Sequence, residues 1–145
     1  MTRNGRSFWI LAAMALILAG PVSGGEYPES VKVRTLLEAD TTNLGQRLAY
    51  PLSSPAHVSS LLVELKPGAE TGRHRHPVIT YGYVLEGTVQ IAYEGGEVRT
   101  YKAGEAFIEA VDTWHNGKNT GNVPAKILVV FISAKNLKTV VRPAP

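Results

Sequence analysis

The 145-residue chain contains no cysteine. That excludes a disulfide framework, a thiolate zinc site and a cysteine nucleophile. A surplus of one charge is also missing, because 15 Lys and Arg stand against 12 Asp and Glu. Arg3 and Arg6 fall in a leader-like segment, and without them the balance is 13 against 12. The charges alternate in sign along the chain, so no electrostatic footprint for nucleic acid remains. Amphipathic-helix periodicity is absent from Glu26 onward. A Gly-x-Ser-x-Gly elbow is absent as well, which leaves a nucleophilic triad without sequence support. What is present is a globular composition, 44% hydrophobic and 19% charged, at the length of one domain.

Residues 1–25 read as a secretory signal. Arg3 and Arg6 supply a positive start, and residues 8–19 (FWILAAMALILA) form an apolar run of 12. Gly20 and Pro21 break the run, and Val22-Ser23-Gly24 offers small residues for cleavage. The run falls short of the roughly 20 residues a spanning helix needs. An uncleaved amino-terminal anchor is the alternative. The expectation is a periplasmic or secreted protein with no stable membrane association once the signal is removed, and a single domain over residues 26–145.

The remainder alternates like strands. Residues 31–36 (VKVRTL) have the period of a half-buried strand, and Leu61, Val63 and Leu65 share one face of a second. Lys66-Pro67-Gly68 ends that strand with turn chemistry. Gly95-Gly96 between residues 88–93 and 97–101 is a two-residue hairpin signal. Residues 127–132 (ILVVFI) are wholly apolar, as in a strand buried on both faces. About eight or nine short strands with turns every 8–12 residues predict an all-β sandwich or barrel.

Chemistry rests on the histidines. In an extended segment His74 and His76 point the same way, so two imidazoles can converge on one ion. His115 can join them from a facing strand. Imidazole suits Zn, Cu, Fe and Ni. The bland alternative is a pair of polar loop residues beside Arg73 and Arg75, which by alternation point away from any ion. His57 matches no pattern and reads as an ordinary surface or core residue.

The spacing Gly68, His74, His76, Thr80, Gly87 resembles the first motif of the cupin superfamily. Gly104, Ala110-Val111-Asp112, His115, Asn119 resembles the second, and Tyr83-Val84-Leu85-Glu86-Gly87 is similar to the strand and turn of small single-domain members. The resemblance covers residues 58–132. It implies a double-stranded β-helix, that is, a jelly-roll barrel, with His74, His76 and His115 holding a divalent transition metal (Fe, Mn, Ni, Cu or Zn). It also implies pairing into a homodimer, for which residues 31–37 could supply an edge strand. Two positions depart from the pattern. Thr80 stands where the family carries a glutamate ligand, and a Thr hydroxyl is a poor ligand for a divalent ion. Ala110-Val111-Asp112 stands where the family has Pro-x-Gly, with Asp112 at the turn position.

Three neutral imidazoles leave the full charge on a divalent ion, which favours an anionic or chelating small molecule. Glu109 is the candidate replacement carboxylate and the one candidate catalytic group. It lies six residues before His115, an even separation that would put both on one face if no turn intervened. Thr80, Tyr81, Tyr83 and Trp114 are candidate pocket residues by proximity to the ligands. Gly68, Gly87 and Gly104 read as turn glycines. Three functions fit: a metal-dependent enzyme of dioxygenase, lyase or isomerase type, a non-catalytic barrel that binds a metal or small molecule, and a metal-free structural barrel.

Overall fold

Residues 127–132, apolar at every position, form the middle of a long strand with a partner on each side, the environment such a run requires. The computed structural model describes residues 30–50 and 55–144. The chain divides into Met1–Val33 and Arg34–Pro145, and the fold described here belongs to the second unit. Seven strands and no helix occur among the described residues: β1 Ala56–Leu65, β2 Ile79–Glu86, β3 Thr88–Tyr93, β4 Val98–Lys102, β5 Ala106–Ile108, β6 His115–Asn119 and β7 Ala125–Ala134. They make a four-stranded sheet of order β1-β7-β2-β5 and a three-stranded sheet of order β4-β3-β6, every pairing antiparallel.

The core draws on both sheets. Val84, Phe107 and Ile127 from the first meet Val89, Ile91 and Tyr93 from the second. Val84 is wholly buried, and removing a side chain of this size from water contributes roughly 2 kcal/mol. Phe107 stacks on Tyr101 with centroids 4.1 Å apart. Its ring lies directly over Gly82, where a Cβ would sit 2.3 Å from Cζ. A residue without a side chain is therefore what lets β2 and this ring share the barrel wall.

The expected hairpin closes as read, with Gly95 and Gly96 at φ 97° and 92°. Gly68, Gly87 and Gly104 also have left-handed φ angles of 76°, 76° and 90°, as turn glycines should. The expectation for residues 31–36 is corrected: they form no strand, and Val31, Val33 and Leu36 are exposed. Alternation describes a strand only where another strand offers its backbone groups, and among the described residues none pairs with this segment. The strand count is likewise seven rather than eight or nine among the described residues. The signal-like segment, residues 1–25, lies outside the described residues. No helix among the described residues is long and apolar enough to cross a membrane.

Candidate metal centre

The segment before β2 runs back along β6. His74 and His115 exchange both backbone hydrogen bonds, His74 N to His115 O at 2.9 Å and His115 N to His74 O at 2.8 Å. Residues paired in this way project to the same face. His76, two residues on, follows the alternation and bridges to Val111. All three histidines are buried, and their ligand nitrogens lie within 4.8 Å of one another.

Each ring is held by its other nitrogen. Nδ1 of His74 meets Gly72 O at 2.7 Å, that of His76 meets Thr139 O at 2.7 Å, and that of His115 meets Thr113 O at 2.9 Å. A carbonyl can only accept, so each Nδ1 carries the proton. In the neutral ring each Nε2 then presents a lone pair to the interior, whereas Nε2 of His76 carries a proton when it donates to Glu109 Oε2, 3.2 Å away. This is the orientation that backbone partners give to metal-binding imidazoles. Nε2 of His115 is buried without a hydrogen-bond partner, a costly state for a polar atom and one that an ion at the centre would relieve. The three histidines therefore fit a divalent transition metal.

Glu109 shares the centre. It is buried, with Oε2 3.2 Å from Nε2 of His76 and Oε1 3.5 Å from Nε2 of His115. The parity expected from its spacing to His115 is not what brings it there. Glu109 follows β5 in one sheet and His115 opens β6 in the other, so the two approach from opposite walls. Asp112 forms the intervening turn at φ 57° and pairs with Arg75 at 3.0 Å, so it is structural. Gln46, not singled out in the sequence, clamps the same loop: its Oε1 accepts from Val111 N at 2.7 Å and its Nε2 donates to Val111 O at 3.0 Å.

The histidines and Glu109 sit in the wall of a cavity of about 250 Å³ whose other walls are largely apolar, including Val63, Ile91, Phe107, Val129 and Phe131. Val140 and Arg142, from the segment after β7, complete the lining. None of the four proposed pocket residues lines this cavity, although Trp114 lines a second one together with His115. Thr80 is inward and buried, but its hydroxyl donates to Val78 O at 3.2 Å. Tyr81 and Tyr83 are half-buried and alternate with the fully buried Thr80, Gly82 and Val84 along β2. Trp114 carries the guanidinium groups of Arg73 and Arg75 over its ring, 4.9 and 5.0 Å from the ring centre. For the two tyrosines, closeness in sequence to the ligands is misleading because successive strand residues point to opposite faces.

Electrostatics follow burial. Loss of water pushes the pKa of His74 down to about 4, so its ring is neutral and able to bind an ion across the neutral range. For Glu109, burial alone would raise the pKa. The hydrogen bond from His76 and the nearby imidazoles outweigh burial and hold the carboxyl below its usual value. Both folded pKa values lie below their unfolded ones, so in each case the unfolded chain takes up protons first as pH falls. The metal-free protein should therefore be most stable above about pH 6.5. His74 should cost it up to roughly 3 kcal/mol between that pH and about 4. Denaturant midpoints measured across this range check the trend.

Residues 61–131 match the cupin domain model. This region is a cupin domain. Among curated relatives, the chain is 26% identical over 101 residues to the cupin-domain-containing oxidoreductase srdD of Neurospora crassa, covering 66% of this chain and 52% of that protein. It is 32% identical over 114 residues to phomopsin biosynthesis cluster protein C' of Diaporthe leptostromiformis, covering 72% and 59%. The chain thus spans about half the length of these relatives. Among solved structures it superposes on oxalate decarboxylase of Bacillus subtilis with a TM-score of 0.51 and 26% identity, covering 62% of this chain and 24% of that one. The Lactobacillus farciminis oxalate decarboxylase gives 0.51 and 21%, over 58% and 26%, a likeness of fold alone. The cupin jelly-roll expected from the two motifs is the fold observed.

Proposed function

We propose that this chain is an exported metal-dependent cupin enzyme, in which His74, His76 and His115 hold one divalent transition-metal ion beside a substrate cavity. One observation carries the reading. Three buried imidazoles, each with Nδ1 tied to a carbonyl, aim Nε2 at a common point in the wall of an otherwise apolar cavity. A structural barrel has no need to keep three Nε2 atoms free of protein donors.

A bound ion would act as a Lewis acid toward an oxygen of the substrate. The chain's own residues define what can reach it. The apolar walls suit a molecule with a hydrocarbon or aromatic body, while a small dianion would be left without polar partners there. The chelating end belongs at the histidines. Arg142 lines the same cavity, is exposed, and donates from Nη1 to Thr71 O at 3.1 Å. It is placed to meet an anionic substituent at the entrance. Among dioxygenase, lyase and isomerase types, the relative named as an oxidoreductase supports oxidative chemistry.

Elemental analysis of the untagged full chain tests this reading, with export by its own leader reported separately by the cell fraction that holds it. About one Fe, Mn, Ni, Cu or Zn per chain is expected, lost in both His74→Ala and His115→Ala. A wild-type protein that stays metal-free after incubation with each ion would rule the reading out.

A further inference from the structure

The first motif lacks its carboxylate, yet a carboxylate stands at the centre. β2 and β5 pair with Tyr81 opposite Ile108, and Glu109 N donates to Thr80 O at 2.9 Å. Continuing that register by one residue sets Glu109 directly across from Thr80. Thr80 is also opposite Phe131, which lines the cavity. Cross-strand partners share a face, so Thr80 and Glu109 project side by side toward the same interior. Thr80 stops short and spends its hydroxyl on Val78 O. Glu109 is two side-chain atoms longer and reaches the imidazoles.

The distances suit coordination. Two ligand atoms each about 2.1 Å from one ion are about 3.0 Å apart at a right angle and about 3.4 Å apart at the tetrahedral angle. Glu109 lies 3.2 Å from Nε2 of His76 and 3.5 Å from Nε2 of His115. The first value, from Oε2, falls within this range, and the second, from Oε1, lies just above it. The second contact is too long and too poorly aligned to satisfy Nε2 of His115, which is left without a partner. An ion between these atoms satisfies the carboxylate and that nitrogen together.

We propose that Glu109 is the fourth protein ligand of the metal, supplied from β5 in place of the position across from it on β2. This rests on the three-histidine reading above. The carboxylate lowers the charge of a divalent centre from +2 to +1. Gln46, by clamping the loop that follows, keeps Glu109 aimed inward.

The test is a Co²⁺ titration of the metal-stripped full chain, read by visible absorption and by competition with a chromophoric chelator. Glu109→Gln keeps the size of the side chain and one acceptor oxygen while removing the charge. It should weaken Co²⁺ binding at least about tenfold, a loss that even an outer partner of a metal ligand can cause, and it should change the Co²⁺ band pattern. The exchange variant Thr80→Glu/Glu109→Thr moves the carboxylate across the strand pair and should recover most of the affinity. If Glu109 is only an ion-pair partner of His76, Glu109→Gln lowers the melting temperature of the stripped protein while Co²⁺ affinity and spectrum stay at wild-type values. That result overturns the assignment and leaves the three-histidine site standing. A wild-type chain that binds no Co²⁺ overturns both.

Discussion

Deleting residues 137–145 should weaken metal binding about 10- to 100-fold, although the deletion removes none of the histidines or Glu109. The reason is the carbonyl of Thr139, which accepts the Nδ1 proton of His76 at 2.7 Å from 63 residues away. Two backbone hydrogen bonds between Arg75 and Val141, at 3.0 and 2.9 Å, hold that strap in place. Without it the His76 ring loses the partner that sets its tautomer and its aim. The same strap brings Val140 and Arg142 to the cavity, so its removal also opens the site to water. Because the contact comes from the main chain, Thr139→Ala should leave metal affinity near the wild-type value. Val141→Pro removes the N–H that bonds Arg75 O, and it should reproduce much of the deletion. Metal competition titrations on the three variants check this. Equal binding by all of them would mean that His76 is held by packing, in particular by Phe131 at a ring distance of 5.2 Å.

That strap marks where sequence reasoning runs out. The histidines were legible because spacing is local: alternation brings His74 and His76 to one face, and a motif carries His115. Glu109 was named as a candidate, but for a reason the fold replaces, since its approach depends on β5 facing β6 across the barrel. Thr139 and Gln46 left no sign. Thr139 acts through its main-chain carbonyl from 63 positions away and Gln46 on a main chain 65 positions away, and neither a carbonyl nor an amide clamp has a signature in a single sequence. Tyr81, Tyr83 and Trp114 show the reverse error. Aromatics beside ligands in the chain suggest a pocket, whereas the pleat turns the tyrosines away and the tryptophan lines a different cavity, with two guanidinium groups over its ring. The cavity is instead lined by aliphatic and phenylalanine side chains whose pattern is indistinguishable from core.

Asn119, the last residue of the second motif, carries the other large expected effect, and that effect falls on folding. Its side chain is wholly buried. Nδ2 donates to Leu65 O at 2.9 Å and to Val123 O at 2.8 Å, while Oδ1 accepts from Gly121 N at 2.9 Å. One amide thus joins the end of β1 to the turn between β6 and β7. Asn119→Ala abandons the buried Leu65 carbonyl and, nearer the surface, the Val123 carbonyl and the Gly121 N–H. With the full penalty on the buried carbonyl and less on the two outer groups, a loss of about 2 kcal/mol is expected, seen as a lower denaturant midpoint. Asn119→Asp separates this account from simple packing. It preserves the shape and the acceptor for Gly121 N, but it points a second oxygen at two carbonyl oxygens and buries a charge. If hydrogen bonding is what matters, Asp should be worse than Ala at pH 7 and should recover partly in acid, where a protonated carboxyl can donate once. If Asp is instead better than Ala, the residue is held for its volume. Either variant that still folds should keep its metal, because Asn119 lies four residues beyond His115 at the far end of β6 and forms no bond to any ligand.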